Sequence, residues 1–441
     1  MNMKNNHFGS FLNSLREMRT FLLLWVTQTF SGLGSAMTGY ALVLWSYEQQ
    51  GSALVTALLM VSSYAPYVLC SIFAGALTDR WDKRRIMLVC DAIAAMTTVC
   101  TLVMLKTGTL QIWHLYVLNA VNGLMNTVQQ PASEVATTAL LPRKHYQRVG
   151  SLRYLASSLN GILTPIIATA MLTMLGMDAV IIFDLFTFAA AFMVLLLFIR
   201  IPAKEKQNQQ EPMMASVCSG IAFLRKQQGI LSLVLFLAAI NFVASMVNAT
   251  LPARFLPQEG AGESALGAVN SMIGITTLIG SLLATMLPEP RSRVRTICWT
   301  LLVSMSTENF FIAFGKSLPV WCVGSFLGWI VIPLMSTNLD AVMRLNIPPD
   351  MQGRVFAARN SLQFFTIPLG YFLGGAMVDL VFEPVMAGQQ PGSFLVTLFG
   401  TGKGSGAACF FAVLGFLGVG VCLWFMKNRH IRAMEASELN R

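Results

Sequence analysis

The sequence predicts an all-α membrane protein of twelve transmembrane helices, arranged as two parallel six-helix repeats. Three observations predict it: a shortage of charge, a full set of long apolar segments, and an internal repeat. Of 441 residues, 55% are hydrophobic and 11% charged, less than half the ~25% charged residues of a soluble domain. Too little charge is present to cover a water-exposed globule of this size, which disfavours a soluble enzyme, a nucleic-acid binder or a secreted disulfide scaffold.

A bilayer core of about 30 Å needs about 20 apolar residues per helix. Windows free of Asp, Glu, Lys and Arg run over 21–47, 54–78, 107–133, 154–177, 230–253, 264–288, 317–339, 360–378 and 404–426. Three more, 86–105, 179–199 and 296–315, hold one acid each: Asp91, Asp184 and Glu308. None shows the alternation of a barrel strand. The first window is too long for the apolar region of a signal peptide and no small-residue cleavage site follows it, so it is expected to stay in the mature chain.

Basic residues set the orientation. With a cytoplasmic N-terminus, all but four of the 30 Lys and Arg residues fall in inside segments; the exceptions are Lys106, Arg254, Lys316 and Lys403. The positive-inside rule then places both termini in the cytoplasm. The net charge of +10 is read as topology, with no nucleic-acid partner implied.

Residues 1–200 form the expected N-terminal six-helix half and 229–441 the C-terminal half. Between them, 201–228 form a cytoplasmic linker with the polar run KEKQNQQE. Within the linker, 212–228 are expected to form an amphipathic helix along the membrane surface, with Met214, Val217, Ile221 and Leu224 on one face. A shift of 206 residues superposes Glu134 on Asp340, Pro142 on Pro348, Arg148 on Arg354, Val149 on Val355 and Arg153 on Arg359. Pro165 and Pro368 extend the match at an offset of 203. Parallel repeats of this kind are one architecture of secondary transporters.

The loop Gly75-Ala-Leu-Thr-Asp79-Arg80-Trp-Asp-Lys83-Arg84-Arg85 resembles the G-x-L-x-D-R-x-G-R-K-x signature of the major facilitator superfamily, with Asp82 where that family often has Gly. Gly-Ser-Ala at 51–53, Ala-Pro-Tyr at 65–67, Ile-Phe-Asp at 182–184 and Gly353-Arg-Val resemble its drug:proton antiporter branch of macrolide-efflux and siderophore-export proteins. The resemblance implies the major facilitator fold, a bacterial cytoplasmic membrane, efflux linked to antibiotic resistance, and a pathway lined by spans one, four, seven and ten.

The residues support a similar reading on their own. Asp79, at a helix end, is placed to accept from an Arg or a helix N-terminus, and Gly75 one turn earlier permits close helix approach. With Arg80 and Arg84 they form a candidate gating loop; an ordinary basic loop is the plainer alternative. Glu134 with Arg148 and Arg153, and Asp340 with Arg354 and Arg359, form matching charge clusters, favoured as structural or gating. Polar stripes at helical spacing mark a candidate cavity. They are Gln28, Ser31, Ser35 and Thr38 in span one; Asn119, Asn122, Asn126, Gln130 and Ser133 in span four; and Asn241, Ser245 and Asn248 in span seven. Helix-to-helix hydrogen bonding is the plainer account of any one of them. No basic residue lies mid-membrane, so a neutral or cationic lipophilic small molecule is favoured over a strong anion. Glu308, about 18 Å into its window at 1.5 Å per residue, is the first candidate for proton coupling, followed by Asp184 and Asp91.

Other signals lead nowhere catalytic. Gly400-Thr-Gly-Lys403-Gly-Ser-Gly resembles a phosphate loop, but Gly follows the Lys and no strand precedes it. The eight cysteines include no C-x-x-C pair, so buried thiols are expected rather than a metal site, and no catalytic constellation or cofactor motif is present. The reading is a monomeric secondary transporter exporting lipophilic compounds against protons. A dedicated exporter of one metabolite such as a siderophore, or a transporter-like ligand sensor, stands as an alternative.

Overall fold

The computed structural model describes residues 19–140, 146–201, 213–258, 262–348 and 351–439. Six helices occupy the first half: Arg19–Gln50, Ala53–Arg80, Lys83–Lys106, Ile112–Ala139, Tyr146–Leu175 and Met177–Leu197. Spans seven to nine are Gln228–Phe255, Gly262–Met286 and Arg293–Phe314, and span twelve is Ser405–Met426. Spans ten and eleven are interrupted. Span ten breaks between Leu318–Trp329 and Ile332–Asn346, where Pro333 cannot donate to the preceding turn. Span eleven runs through Gln352–Phe364 and Thr366–Met377, then a widened π turn at Val378–Phe382.

Ten of the described helical segments are long and apolar enough to cross a membrane. Spans one and four fall short in hydropathy, not length, at 32 and 28 residues. They are the two helices of the first half that carry polar stripes.

Packing divides the described residues into two compact units: 19–41 with 65–201, and 42–64 with 213–439. The end of span one and the start of span two therefore pack with the second half of the sequence. In the first unit, Leu24, Ile86, Met87, Cys90, Ala132, Ala136, Leu195 and Ile199 join spans one, three, four and six. A second cluster, Leu33, Met37, Ala41, Ala168 and Val180, joins spans one, five and six. Arg84 fastens this unit at its basic end, donating from Nε to Leu195 O at 3.2 Å and from Nη2 to Leu196 O at 2.5 Å. Asp82, in the place of the family glycine, caps span three by accepting from the Arg85 N–H at 2.8 Å. A short polar cap at this position satisfies one of the orphan donors of the helix start.

In the second unit small residues let helices touch. A Cβ on Gly328 would lie 2.8 Å from Glu308 Cβ, and one on Gly374 2.9 Å from Met246 Cα. Without hydrophobic drive between helices in lipid, close backbone approach of this kind supplies the dispersion contact. The linker helix is Met213–Lys226. Leu224 is fully buried, and Gly220 abuts the Arg354 backbone and Ala358.

Candidate transport site

Each of the three acids that fall inside apolar windows, Asp91, Asp184 and Glu308, is buried and held by neutral donors. In the first unit Asp91 Oδ1 accepts from Gln129 Nε2 at 2.6 Å and Oδ2 from Gln28 Nε2 at 3.4 Å. Asp184 Oδ1 accepts from Ser35 Oγ at 3.0 Å. A Cβ on Gly34 would lie 2.9 Å from Asp184 Cα, so spans one and six touch at this point. Thr97 Oγ1 donates to Asn122 Oδ1 at 2.7 Å. Gln28, Ser35 and Asn122 thus direct polar atoms into their own bundle, and Ser31 is buried beside them. Asn119 is half-buried, whereas Asn126 and Gln130 are exposed.

In the second unit Ser245 is buried, donating to Phe242 O at 2.8 Å, with Gly370 packed against it. Ser245 therefore belongs to the seam between spans seven and eleven. Asn241 reaches Gln363 O at 3.5 Å, and Asn248 is half-buried. Glu308 is 4% exposed, and its Oε1 accepts from Trp329 Nε1 at 2.8 Å. The helix begins at Arg293, so Glu308 lies about 22 Å from the basic end and about 9 Å from the other. It stands past the middle of the span, nearer the far end than its apolar window implied.

Of the two charge clusters, the second is partly formed. Arg359 Nη1 lies 3.7 Å from Asp340 Oδ1, and Arg359 Nε donates to Gln363 Oε1 at 3.1 Å. Arg354 lies on the same helix as Arg359. Gly75, Asp79, Arg80, Glu134, Arg148 and Arg153 lie outside the residues whose side chains are described.

Two acid contacts escape a reading by local periodicity. Asp379, in the π turn of span eleven, accepts from the N–H groups of Ala53 and Leu54 at 3.0 and 2.9 Å. Just past the apolar window of span one, Glu48 hydrogen-bonds Glu263. The only sequence signal for the first contact was an acid directly at the end of an apolar window.

Membrane-length helices with apolar outer surfaces and a few buried polar centres define a multi-pass membrane transporter. The chain belongs to the Major Facilitator Superfamily, whose sequence profile matches residues 24–287. It is similar to macrolide efflux protein A of Streptococcus pyogenes, 23% identical over 367 residues that cover 82% of this chain and 90% of that protein. It is also similar to the multidrug efflux pump Tap of Mycolicibacterium fortuitum, 24% identical over 372 residues, 81% of this chain and 89% of the pump. Among solved structures, the nucleoside transporter NupG superposes with a TM-score of 0.68 at 13% identity, covering 93% of this chain and 100% of NupG. At that identity the likeness concerns the fold alone.

Proposed function

We propose that the protein is a proton-coupled exporter of lipophilic neutral or cationic small molecules, acting as a monomer in a bacterial cytoplasmic membrane with both termini inside. The observation that carries the coupling is Glu308, a carboxyl buried within a span and held by an indole N–H rather than a cation. A charged, unpaired carboxylate at such depth costs about 2.5–3.5 kcal/mol on the insertion scale, so Glu308 rests in its neutral form and releases its proton only when water reaches it. Exposed Asn126 and Gln130 on span four supply amides that lipid cannot satisfy, which favours a water-filled path beside them. The names of the efflux relatives support export of amphiphiles of the macrolide class.

The test is uptake of a labelled macrolide into everted membrane vesicles. Accumulation is expected with an inside-acid pH gradient and lost when the gradient is collapsed. Accumulation that ignores the gradient would overturn proton coupling; absence of macrolide movement with retention of one secreted metabolite in a deletion strain would favour the dedicated exporter.

A further inference from the structure

Three of the four basic residues that the positive-inside count assigns to the outside converge on one recess in the second unit. Arg254, Lys316 and Lys403 line a cavity of about 540 Å³ together with Trp321 and Phe399. Arg254 is 9% exposed; its Nε and Nη2 donate to Ile312 O at 3.3 Å and Gly315 O at 3.2 Å, and its guanidinium lies 5.3 Å from the centre of the Trp321 ring. Lys316 Nζ donates to Thr397 O at 3.3 Å. Among the described residues, none of the three has a carboxylate within 4.0 Å. The hydrogen-bond partners of Arg254 are all neutral carbonyls; Glu383 acts on Arg254 and on Lys403 only through space, and the Lys403 ammonium leans over the Tyr47 ring at 6.0 Å. Three cations against that one carboxylate leave an excess of positive charge at the recess that an anion would complete.

The third wall explains the phosphate-loop-like segment. Gly400, Gly402 and Gly404 all have positive φ, at 85°, 82° and 93°, a backbone that glycine alone adopts without strain. These turns bring Lys403 to the rim of the recess.

The recess also continues into an apolar surface. Phe399 stacks on Phe314 at 5.5 Å, Phe314 on Phe310 at 6.1 Å, and Phe310 meets Phe416 edge-on at 4.9 Å. Phe314 and Phe416 are 40% and 68% exposed. Phe310 lies one turn inside the end of span nine, and Phe416 about 16 Å down span twelve from Ser405. The rings therefore form a ladder that descends from the recess along the lipid-facing side of spans nine and twelve.

A cationic cup above an exposed aromatic track matches an amphiphile with an anionic head. We infer that this recess binds the phosphate of an anionic phospholipid from the outer leaflet, with an acyl chain along the phenylalanine ladder. Guanidinium and ammonium groups are suited to phosphate oxygens. The recess shares no residue with the proposed substrate path, and the inference draws on that reading only for which face is outside.

The purified, delipidated full-length protein is exposed to phosphatidylglycerol, phosphatidylcholine or sn-glycerol 1-phosphate, and bound molecules are counted by native mass spectrometry. One tightly retained phosphatidylglycerol is expected, with phosphatidylcholine weaker. Lys316→Gln and Lys403→Gln should each weaken it about fivefold, the factor equivalent to about 1 kcal/mol per basic residue at a membrane surface. Phe416→Ala should weaken the long-chain lipid more than a short-chain analogue. Equal retention of both lipids, or no response to either lysine change, overturns the proposal. Displacement of the lipid by equimolar sn-glycerol 1-phosphate overturns it in favour of a site for soluble phosphates. Gradient-driven macrolide accumulation, measured in parallel, reads the transport proposal separately.

Discussion

Asp379 caps the helix that starts one residue after Ser52. Its carboxylate accepts from the Ser52 hydroxyl at 2.5 Å and from the next two backbone N–H groups, at 3.0 and 2.9 Å. Residues 42–64 belong to the same compact unit as Asp379. The contact is a carboxylate on a helix N-terminus, where the orphan N–H groups and the macrodipole both favour negative charge. Gly375, one turn earlier, fits against Leu54 Cα and Ala57 Cβ, each 2.7 Å from where a Cβ would stand. The cap and the close approach together hold the start of span two against span eleven.

The proposed export, if it runs by alternating access, requires such a seam to open. Asp379→Ala should release it, at about 1 kcal/mol for a lost cap, equivalent to about fivefold in the opening equilibrium. A cysteine placed at the fully buried Ala57 should then react about fivefold faster with a membrane-impermeant thiol reagent. An unchanged labelling rate would mean the seam stays closed without its cap.

Glu308→Gln keeps a hydrogen-bond acceptor for Trp329 but cannot release a proton. The variant is expected to bind substrate and exchange it down a gradient, while accumulation driven by a pH difference falls at least tenfold. Full accumulation would move coupling to Asp184 or Asp91. Trp329→Phe, which removes the donor 2.8 Å from Oε1, should instead shift the pH profile of transport while leaving it coupled.

Substitutions at Arg84 and Asp79 test whether the proposed gating is separate from the fastening that Arg84 provides. Charge-assisted hydrogen bonds are worth about 1.5–3 kcal/mol, so Arg84→Gln should lower the melting temperature by loosening span six from span three. Asp79→Asn should leave melting unchanged and cut transport severely. If Asp79→Asn melts early as well, the loop is a structural fastening throughout.

Cysteine accessibility tests the candidate path residue by residue. Positions 126 and 130 should label readily with a water-soluble thiol reagent, and position 245 should resist it. Protection at 126 and 130 equal to that of lipid-facing positions would place the path elsewhere.

The twelve spans, the polar helices and the acids within apolar windows are legible in the sequence because length and helical period are local properties, whereas the depth of Glu308 is not, since the helix starts before its window. Nor are the partners of those groups. Gln28 and Ser35 lie on the stripe that spacing predicts, yet they serve Asp91 and Asp184 on helices 63 and 149 residues away. A stripe marks which face avoids lipid without saying whether water or a neighbouring helix meets it. Asp379 stands just past an apolar window, and its partner Ser52, 327 residues distant, leaves no periodic trace. The segment 400–406 reads in the sequence only as a failed phosphate-loop match, because its neighbours Arg254 and Lys316 are brought beside it by folding.

The grouping of residues 42–64 with the second half of the sequence bears on how such proteins recombine. A gene exchange that cuts in the linker would join one parent's Ser52 to another parent's Asp379. A hybrid inheriting a bulky residue at 375, or a neutral one at 379, would assemble with a mismatched seam even if each parental half were sound. Viable chimeras are thus those whose donors agree at this junction, so residues 52, 375 and 379 are inherited in effect as one unit despite their distance along the gene.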